Sequence, residues 1–167
     1  MKGRKFYKNP WIIALFTIFL LFQSCSYALK NSWKSSVPDR VKMGKVLTST
    51  SDWIVPPGGS CGGAIIQLKN KSAIEIQREG LGFFEDQNQS QKSKGRTISW
   101  SQGASDNRGW ISYQCAVKSS SKEKYYQQEL RSALKSKNAY YGVPSGKSKT
   151  RILIATEQRL VFVGYWD

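Results

Sequence analysis

Residues 151–166 read RILIATEQRLVFVGYW, two apolar runs separated by the polar triplet Glu157-Gln158-Arg159. Each run has the length and the apolar content of a strand, and a strand presents every second side chain to the same face. Two such runs joined by a short polar segment predict a β-hairpin. We expect this hairpin to supply core residues, namely Ile152, Ile154, Val161 and Val163.

Five further segments are strand-like. The sequence predicts strands over residues 41–50, 64–68, 73–78, 97–102 and 110–117. We expect the second strand to pair with the third, and the fourth with the fifth, because short polar segments rich in turn-forming residues separate them. Between the first two strands no regular element is expected, and a long loop follows the third. These two segments are residues 55–63 and 80–95.

One segment has a helical pattern. Residues 121–137 carry apolar side chains at helical spacing, and Ser120 with Glu123 three residues later matches a capping box. The segment therefore predicts an amphipathic helix that packs on the sheet with one face. The residues expected on that buried face are Tyr126, Leu130, Ala133 and Leu134.

The order of these elements predicts one domain of the α+β class. About 125 residues from Val41 onward are enough for a single core of ordinary size. We expect an antiparallel sheet of six or seven strands with one amphipathic helix, occupying residues 41–167; an all-β sandwich with an appended helix is the alternative. The polar residues 25–40 read as a tether or a loosely packed lead-in.

The first 24 residues have the features of an export signal. A basic head is followed by the almost unbroken apolar run Trp11–Phe22. As a helix this run is about 18 Å long, against about 30 Å of bilayer hydrocarbon, which suits a signal better than a spanning helix. We therefore expect the protein to function outside the cytoplasm. The head contains Lys2, Arg4, Lys5 and Lys8.

The end of the leader contains Cys25, preceded by Leu21-Phe22-Gln23-Ser24. With its basic head and short apolar core, this leader resembles the signal of bacterial lipoproteins, which implies a lipid on Cys25. Cleavage after Ala28, as at an ordinary signal-peptide site, would instead release a soluble protein. An uncleaved anchor is the third possibility.

Either cleavage leaves two cysteines available for pairing, Cys61 and Cys115. Thiols oxidise in exported proteins, so we predict a Cys61–Cys115 disulfide; two buried free thiols are the alternative. The chain has no C-x-x-C motif of the kind that lowers a thiol pKa, which argues against a redox-active pair.

The charge of the chain is strongly positive. It has 26 basic and 11 acidic residues, and without the four leader cations it has 22 against 11, a net charge of +11. Such a charge favours acidic partners: an acidic protein, lipid phosphate, lipopolysaccharide or another anionic envelope polymer. A specific nucleic-acid partner is not expected, because exported proteins rarely meet genomic DNA. A surface that only aids solubility is the alternative.

The excess of basic residues is concentrated near the C-terminus, since no acid occurs between Leu130 and Thr156. On the predicted helix, three cations and Gln128 share a stripe opposite the buried face. Beyond it, two tyrosines precede a second group of cations, and we expect rings and cations together to form a contact surface. The predicted binding residues are Lys124, Arg131, Lys135, Lys147, Lys149, Arg151, Tyr140 and Tyr141.

Motifs that would indicate catalysis are incomplete. The segment Gly58–Gly62 matches G-x-S-x-G, but the chain has no histidine to act as its base. Residues 142–148 are one residue short of a phosphate-binding P-loop. Glu85 and Asp86 are the best acidic pair, yet adjacent side chains on an extended chain point apart. We therefore predict no catalytic residues, no metal ligands and no cofactor.

Together these features predict a non-catalytic bacterial cell-envelope protein. We expect it to be a lipoprotein on the periplasmic side of a membrane, binding a protein partner or an anionic component through its basic surface. A soluble periplasmic or secreted inhibitor of the immunity-protein type is the first alternative. A carboxylate-dependent wall hydrolase is the second.

Overall fold

The computed structural model describes residues 10–51, 60–85, 97–103, 110–145 and 149–166. Its helices are α1 (Pro10–Ser35), α2 (Asn70–Glu79), α3 (Trp110–Lys118) and α4 (Glu123–Lys135). Its strands are β1 (Met43–Ser51), β2 (Cys61–Leu68), β3 (Ile98–Gln102), β4 (Ala139–Pro144), β5 (Arg151–Ala155) and β6 (Leu160–Trp166).

The six strands form one antiparallel sheet in the order β1-β2-β6-β5-β4-β3. The hairpin predicted over residues 151–166 is confirmed as β5 and β6, which occupy the interior of the sheet. Between them Arg159 adopts a left-handed backbone conformation with φ 54°. The four side chains expected in the core, Ile152, Ile154, Val161 and Val163, are fully buried.

Helices cover both faces of this sheet. On one face, Ile152 and Val163 pack with Ile76 of α2. On the other face, Leu153 and Phe162 pack with residues of α3 and α4. The α+β class with a six-stranded antiparallel sheet is therefore confirmed, whereas the expectation of one packed helix is wrong. Because the strands belong to a single sheet, the sandwich alternative is wrong as well.

Residues 73–78 form part of α2, so their prediction as a strand is wrong. The apolar alternation of Ile74 and Ile76 suggested a strand, but Ile74 is 55% exposed. The residues that face the core are Ala73 and Ile76, whose i, i+3 spacing is helical. Gly80 ends the helix with φ 60°, and its N–H donates to the Ile76 carbonyl.

The prediction of a strand over residues 110–117 is also wrong, because this segment is α3. Its buried residues, Tyr113, Ala116 and Val117, lie at i, i+3 and i+4. They pack on β2 and β6, while β3 pairs with β4 instead. The close approach depends on glycine: a Cβ at Gly63 would lie 3.0 Å from that of Ala116.

The helix predicted over residues 121–137 is confirmed as α4, with shorter ends. Three of its expected core residues are buried and the fourth, Leu134, is partly buried. The capping box is wrong, because the Ser120 hydroxyl accepts a hydrogen bond from the N–H of Lys122 and not from Glu123. The Glu123 carboxylate accepts one from the Gln127 side chain. The buried residues are Tyr126, Leu130 and Ala133.

The predicted tether is wrong from Trp33 onward. The Trp33 ring stacks on Tyr165 with centroids 6.0 Å apart, and Val37 is 1% exposed in the core. The guanidinium of Arg40 donates a hydrogen bond of 2.7 Å to a carboxylate oxygen of Glu79. It also lies over the Phe83 ring, 4.2 Å from the ring centroid. The domain therefore begins before Val41.

The two predicted loops are only partly tested. Strand β2 starts at Cys61, so the expectation of no regular element over 55–63 is wrong at its end; residues 52–59 lie outside the described residues. In the predicted loop 80–95, a helical turn at 82–85 buries Phe83 and Phe84, which join the core beside Trp100. Residues 86–96 are not among the described ones.

Candidate functional site

Helix α1 presents large apolar side chains to solvent over its first half. Trp11 is 77% exposed and Leu15 66% exposed. Within the residues that the structure describes, no helix has the length and apolar character needed to cross a membrane. Cys25, the predicted lipidation site, lies inside α1, and its side chain is outside the described ones. The other exposed apolar residues are Ile13, Phe16, Ile18, Phe19, Leu20 and Leu21.

The predicted cations of α4 share one exposed face. Lys124, Arg131 and Lys135 are exposed, and Gln128 between them is exposed too. Their opposite face packs into the core, as the helical period requires. We call these three cations, Lys124, Arg131 and Lys135, the helix ridge.

The second predicted group of cations surrounds the start of β5. Lys149 is exposed, and Arg151 is half-buried with its guanidinium donating to the carbonyl of Thr150. Lys147 lies outside the described residues. We call Lys149 and Arg151 the turn cluster.

The helix ridge and the turn cluster reach different ends of the sheet. Lys135 precedes Ser136, whose hydroxyl donates to the carboxylate of Glu157 in the β5–β6 turn. Arg151 is at the other end of β5, about 13 Å from Ala155 at the usual rise of a strand. The C-terminal end of the ridge and the turn cluster therefore do not form the single surface that the acid-free sequence suggested.

The two tyrosines of the predicted site are buried, so their assignment to a contact surface is wrong. Tyr140 is 1% exposed, and its hydroxyl donates to the carbonyl of Ile76 at 3.3 Å. Tyr141 points to the opposite face, where its hydroxyl lies 3.5 Å from the carbonyl of Leu134. Burial raises the pKa of Tyr140. Both rings belong to the core.

The structure instead exposes an aromatic residue that the sequence analysis did not select. Trp166, the last residue of β6, is 46% exposed and pairs with Cys61 at the start of β2. Two positions earlier, Gly164 pairs with Arg151. These register pairs bring Trp166 and the turn cluster to one end of the sheet. We call the end formed by Cys61, Arg151 and Trp166 the exit end.

The first helix meets the domain at this same end. Trp33 of α1 stacks on Tyr165, the neighbour of Trp166. From Trp33 the chain runs toward the opposite end, where the Lys42 carbonyl accepts from the N–H of Lys69, just after β2. The only sequence signal for this grouping was the Gly-Tyr-Trp ending of the last strand.

The acidic pair considered for catalysis, Glu85 and Asp86, is only partly described, and two further glutamates lie on α2. Glu75 is on α2 and not on a strand, and the carboxylate of Glu79 is paired with Arg40. Glu85 is exposed, while Asp86 lies outside the described residues. Among the described residues, no group of His, Cys, Asp or Glu is arranged to hold a metal ion.

The two loop motifs have structural contexts that differ from those of enzymes. Ser60 precedes a strand, not the helix that a nucleophile elbow requires. Residues 142–144 are the end of β4, and the chain continues into strand β5 from Arg151; residues 146–148 are outside the described part. A P-loop would lead into a helix.

Cys61 and Cys115 form the predicted disulfide, with Cα atoms 6.0 Å apart. The bridge joins the start of β2 to α3 and closes the sheet against this helix. Comparison with known proteins adds no relative, since neither a family model, nor a curated protein, nor a solved structure matches this chain.

Proposed function

We propose that this protein is a non-catalytic component of the bacterial cell envelope. In this proposal the apolar first half of α1 directs export, a lipid on Cys25 anchors the mature chain to the periplasmic side of a membrane, and its basic surface binds an acidic protein or an anionic envelope component. The observation that carries the proposal is the exposed apolar first half of α1, continuous with a second half that contacts the folded domain.

Exposure of so many large apolar side chains on one helix has a cost in water. Removing one such side chain from water is favourable by roughly 1.5–3 kcal/mol of free energy. The eight exposed residues from Trp11 to Leu21 therefore favour transfer of the helix into an apolar phase. A membrane offers that phase, whether the helix serves as a cleaved signal or as an anchor. The disulfide supports the export that follows from this.

The domain itself is held close to the anchor. Trp33, Val37 and Arg40 contact the sheet or its neighbouring helices, so the segment after the leader has no long free tether. A protein fixed in this way works at the membrane surface. This supports partners found there, among them anionic lipids, lipopolysaccharide and acidic domains of other envelope proteins.

The helix ridge is the surface best placed to receive such a partner. Its three cations lie on one exposed face of a well-packed helix, so they approach a ligand as a preformed row. Binding through exposed cations of this kind weakens steeply with salt, because the charges are screened beyond about 8 Å at physiological ionic strength.

The anchoring is tested by the intact mass of the native protein from membrane and soluble fractions, with and without reductant. We expect an acylated chain that starts at Cys25 in the membrane fraction and gains about two hydrogens on reduction. Cys25→Ser should lose the acyl mass. An unmodified chain that starts at Leu29 in the soluble fraction would overturn the anchor and favour the inhibitor alternative.

The binding is tested with two variants that each lose three positive charges. Lys124, Arg131 and Lys135 are changed together to Gln, and the control changes Lys45, Lys69 and Lys71, which are also exposed. We expect the ridge variant to lose at least tenfold in affinity for purified wall fragments or lipopolysaccharide at low salt, with an unchanged melting temperature. An equal loss of affinity in both variants would mean that binding depends on the net charge of the protein and not on the position of the cations.

A further inference from the structure

We infer that the exit end of the sheet is a lipid-contacting surface, in which Trp166 lies among the headgroups and the turn cluster contacts the phosphates of anionic lipids. This inference rests on the proposed anchoring and assigns the orientation of the domain on the bilayer.

The first argument is the position of the anchor. Helix α1 reaches the domain where Trp33 stacks on Tyr165, beside Trp166. Trp33 is eight positions after Cys25, a distance of about 12 Å at the rise of a helix. A lipid on Cys25 would therefore hold the exit end within about 12 Å of the bilayer surface, close to one Debye length at physiological ionic strength.

The second argument is the chemistry of that end. Tryptophan prefers the interface between lipid and water, because its ring is apolar and its N–H is polar. Trp166 is 46% exposed at this end of the sheet. Lys149 is exposed and Arg151 half-exposed, and cations near an anionic leaflet are attracted to it. Asp167 follows Trp166 in the sequence and opposes this attraction, so the dependence on anionic lipid is the decisive property.

The third argument is the contrast between the two ends of the sheet. The opposite end includes Glu157, whose carboxylate accepts from Ser136 and Asn138. It contains neither the anchor contact nor Trp166. Lys69, just after β2, and Lys71 are exposed near that end and thus provide matched cations for a control.

The experiment uses the native protein extracted from membranes and reconstituted into vesicles. Lipids with brominated chains quench tryptophan that lies at the interface. Subtracting the signal of Trp166→Phe from that of the wild type isolates Trp166 from the other tryptophans. Vesicles rich in phosphatidylglycerol are compared with vesicles of phosphatidylcholine alone, and flotation shows that the protein is bound.

We expect Trp166 to be quenched in phosphatidylglycerol vesicles and at least twofold less in phosphatidylcholine. The double variant Lys149→Gln/Arg151→Gln should lower the quenching in phosphatidylglycerol by about half or more, whereas Lys69→Gln/Lys71→Gln should leave it unchanged. Equal quenching in both lipids, or equal effects of the two double variants, would overturn the contact with lipid phosphate.

The outcomes separate this inference from the proposed anchoring. A protein that floats with the vesicles but shows no quenching of Trp166 is anchored with its exit end away from lipid, and only the inference fails. A protein that does not float refutes both. If Trp166→Phe does not fold, modification of lysines by a water-soluble amine-reactive reagent replaces it. Vesicles should protect Lys149, relative to detergent, and leave Lys71 reactive.

Discussion

Removal of the Cys61–Cys115 disulfide should destabilise the domain by about 4 kcal/mol. The bridge spans 54 residues, and the entropy that closing such a loop removes from the unfolded chain corresponds to about 4 kcal/mol at 25 °C. A domain of this size unfolds with a free energy of roughly 5–15 kcal/mol. The bridge therefore supplies a large share of the net stability.

The test is urea unfolding of the double variant Cys61→Ala/Cys115→Ala, followed by tryptophan fluorescence and circular dichroism. With a urea dependence of about 2 kcal/mol per molar, the midpoint should fall by about 2 M. The wild type treated with reductant is the matched control. Its midpoint should agree with that of the variant, because both lack the same restraint on the unfolded chain.

Two results would contradict this reasoning. A double variant within about 1 kcal/mol of the oxidised wild type would mean that the unfolded chain is compact enough to make the bridge unimportant. A loss of unfolding free energy much larger than 4 kcal/mol would mean that the bridge also maintains native contacts. The packing of α3 on Gly63 would be the first of these contacts to examine.

Two further predictions concern packing and pH. In Gly164→Ala the new Cβ would collide with the backbone carbonyl of Ser112, whose carbon lies 2.7 Å from it. We therefore expect the free energy of unfolding, measured by thermal unfolding, to fall by about 1–3 kcal/mol. The control is Gly82→Ala, because no atom lies within 4 Å of a Cβ at that position. Burial raises the pKa of Tyr113, so the folded state keeps this hydroxyl neutral while the unfolded chain ionises above about pH 10. Stability should therefore decline above pH 10 and decline less in Tyr113→Phe, as measured by urea unfolding from pH 8 to 11; an identical decline would exclude Tyr113 as a contributor.

Local sequence was enough for several features of the fold. The hairpin of β5 and β6 follows from two apolar runs around a polar triplet, and these strands pair with their neighbours in sequence. Helix α4 follows from apolar residues at helical spacing, and the exposure of Lys124, Arg131 and Lys135 follows from the same period. The disulfide follows from counting the cysteines that remain after the predicted leader.

Helices α2 and α3 were assigned as strands because short apolar segments fit either period. In residues 73–78, Ile74 and Ile76 alternate like a strand, and only contact with the sheet selects Ala73 and Ile76 as the buried pair. In α3, aromatic and β-branched residues favoured a strand. Burial against β2 and β6, with the bridge at Cys115, outweighs that local preference.

Some features of the candidate site follow from the local sequence, and others depend on the tertiary structure. The sequence by itself determined the apolar leader, the cysteine pair, the positive charge and the exposed face of α4, since each depends on composition or on a local period. Only the tertiary structure decided that Tyr140 and Tyr141 are buried, because helices cover both faces of their strand. It also decided that Trp166 and Arg151 share one end with Trp33, because strand register joins residues that are distant in the chain.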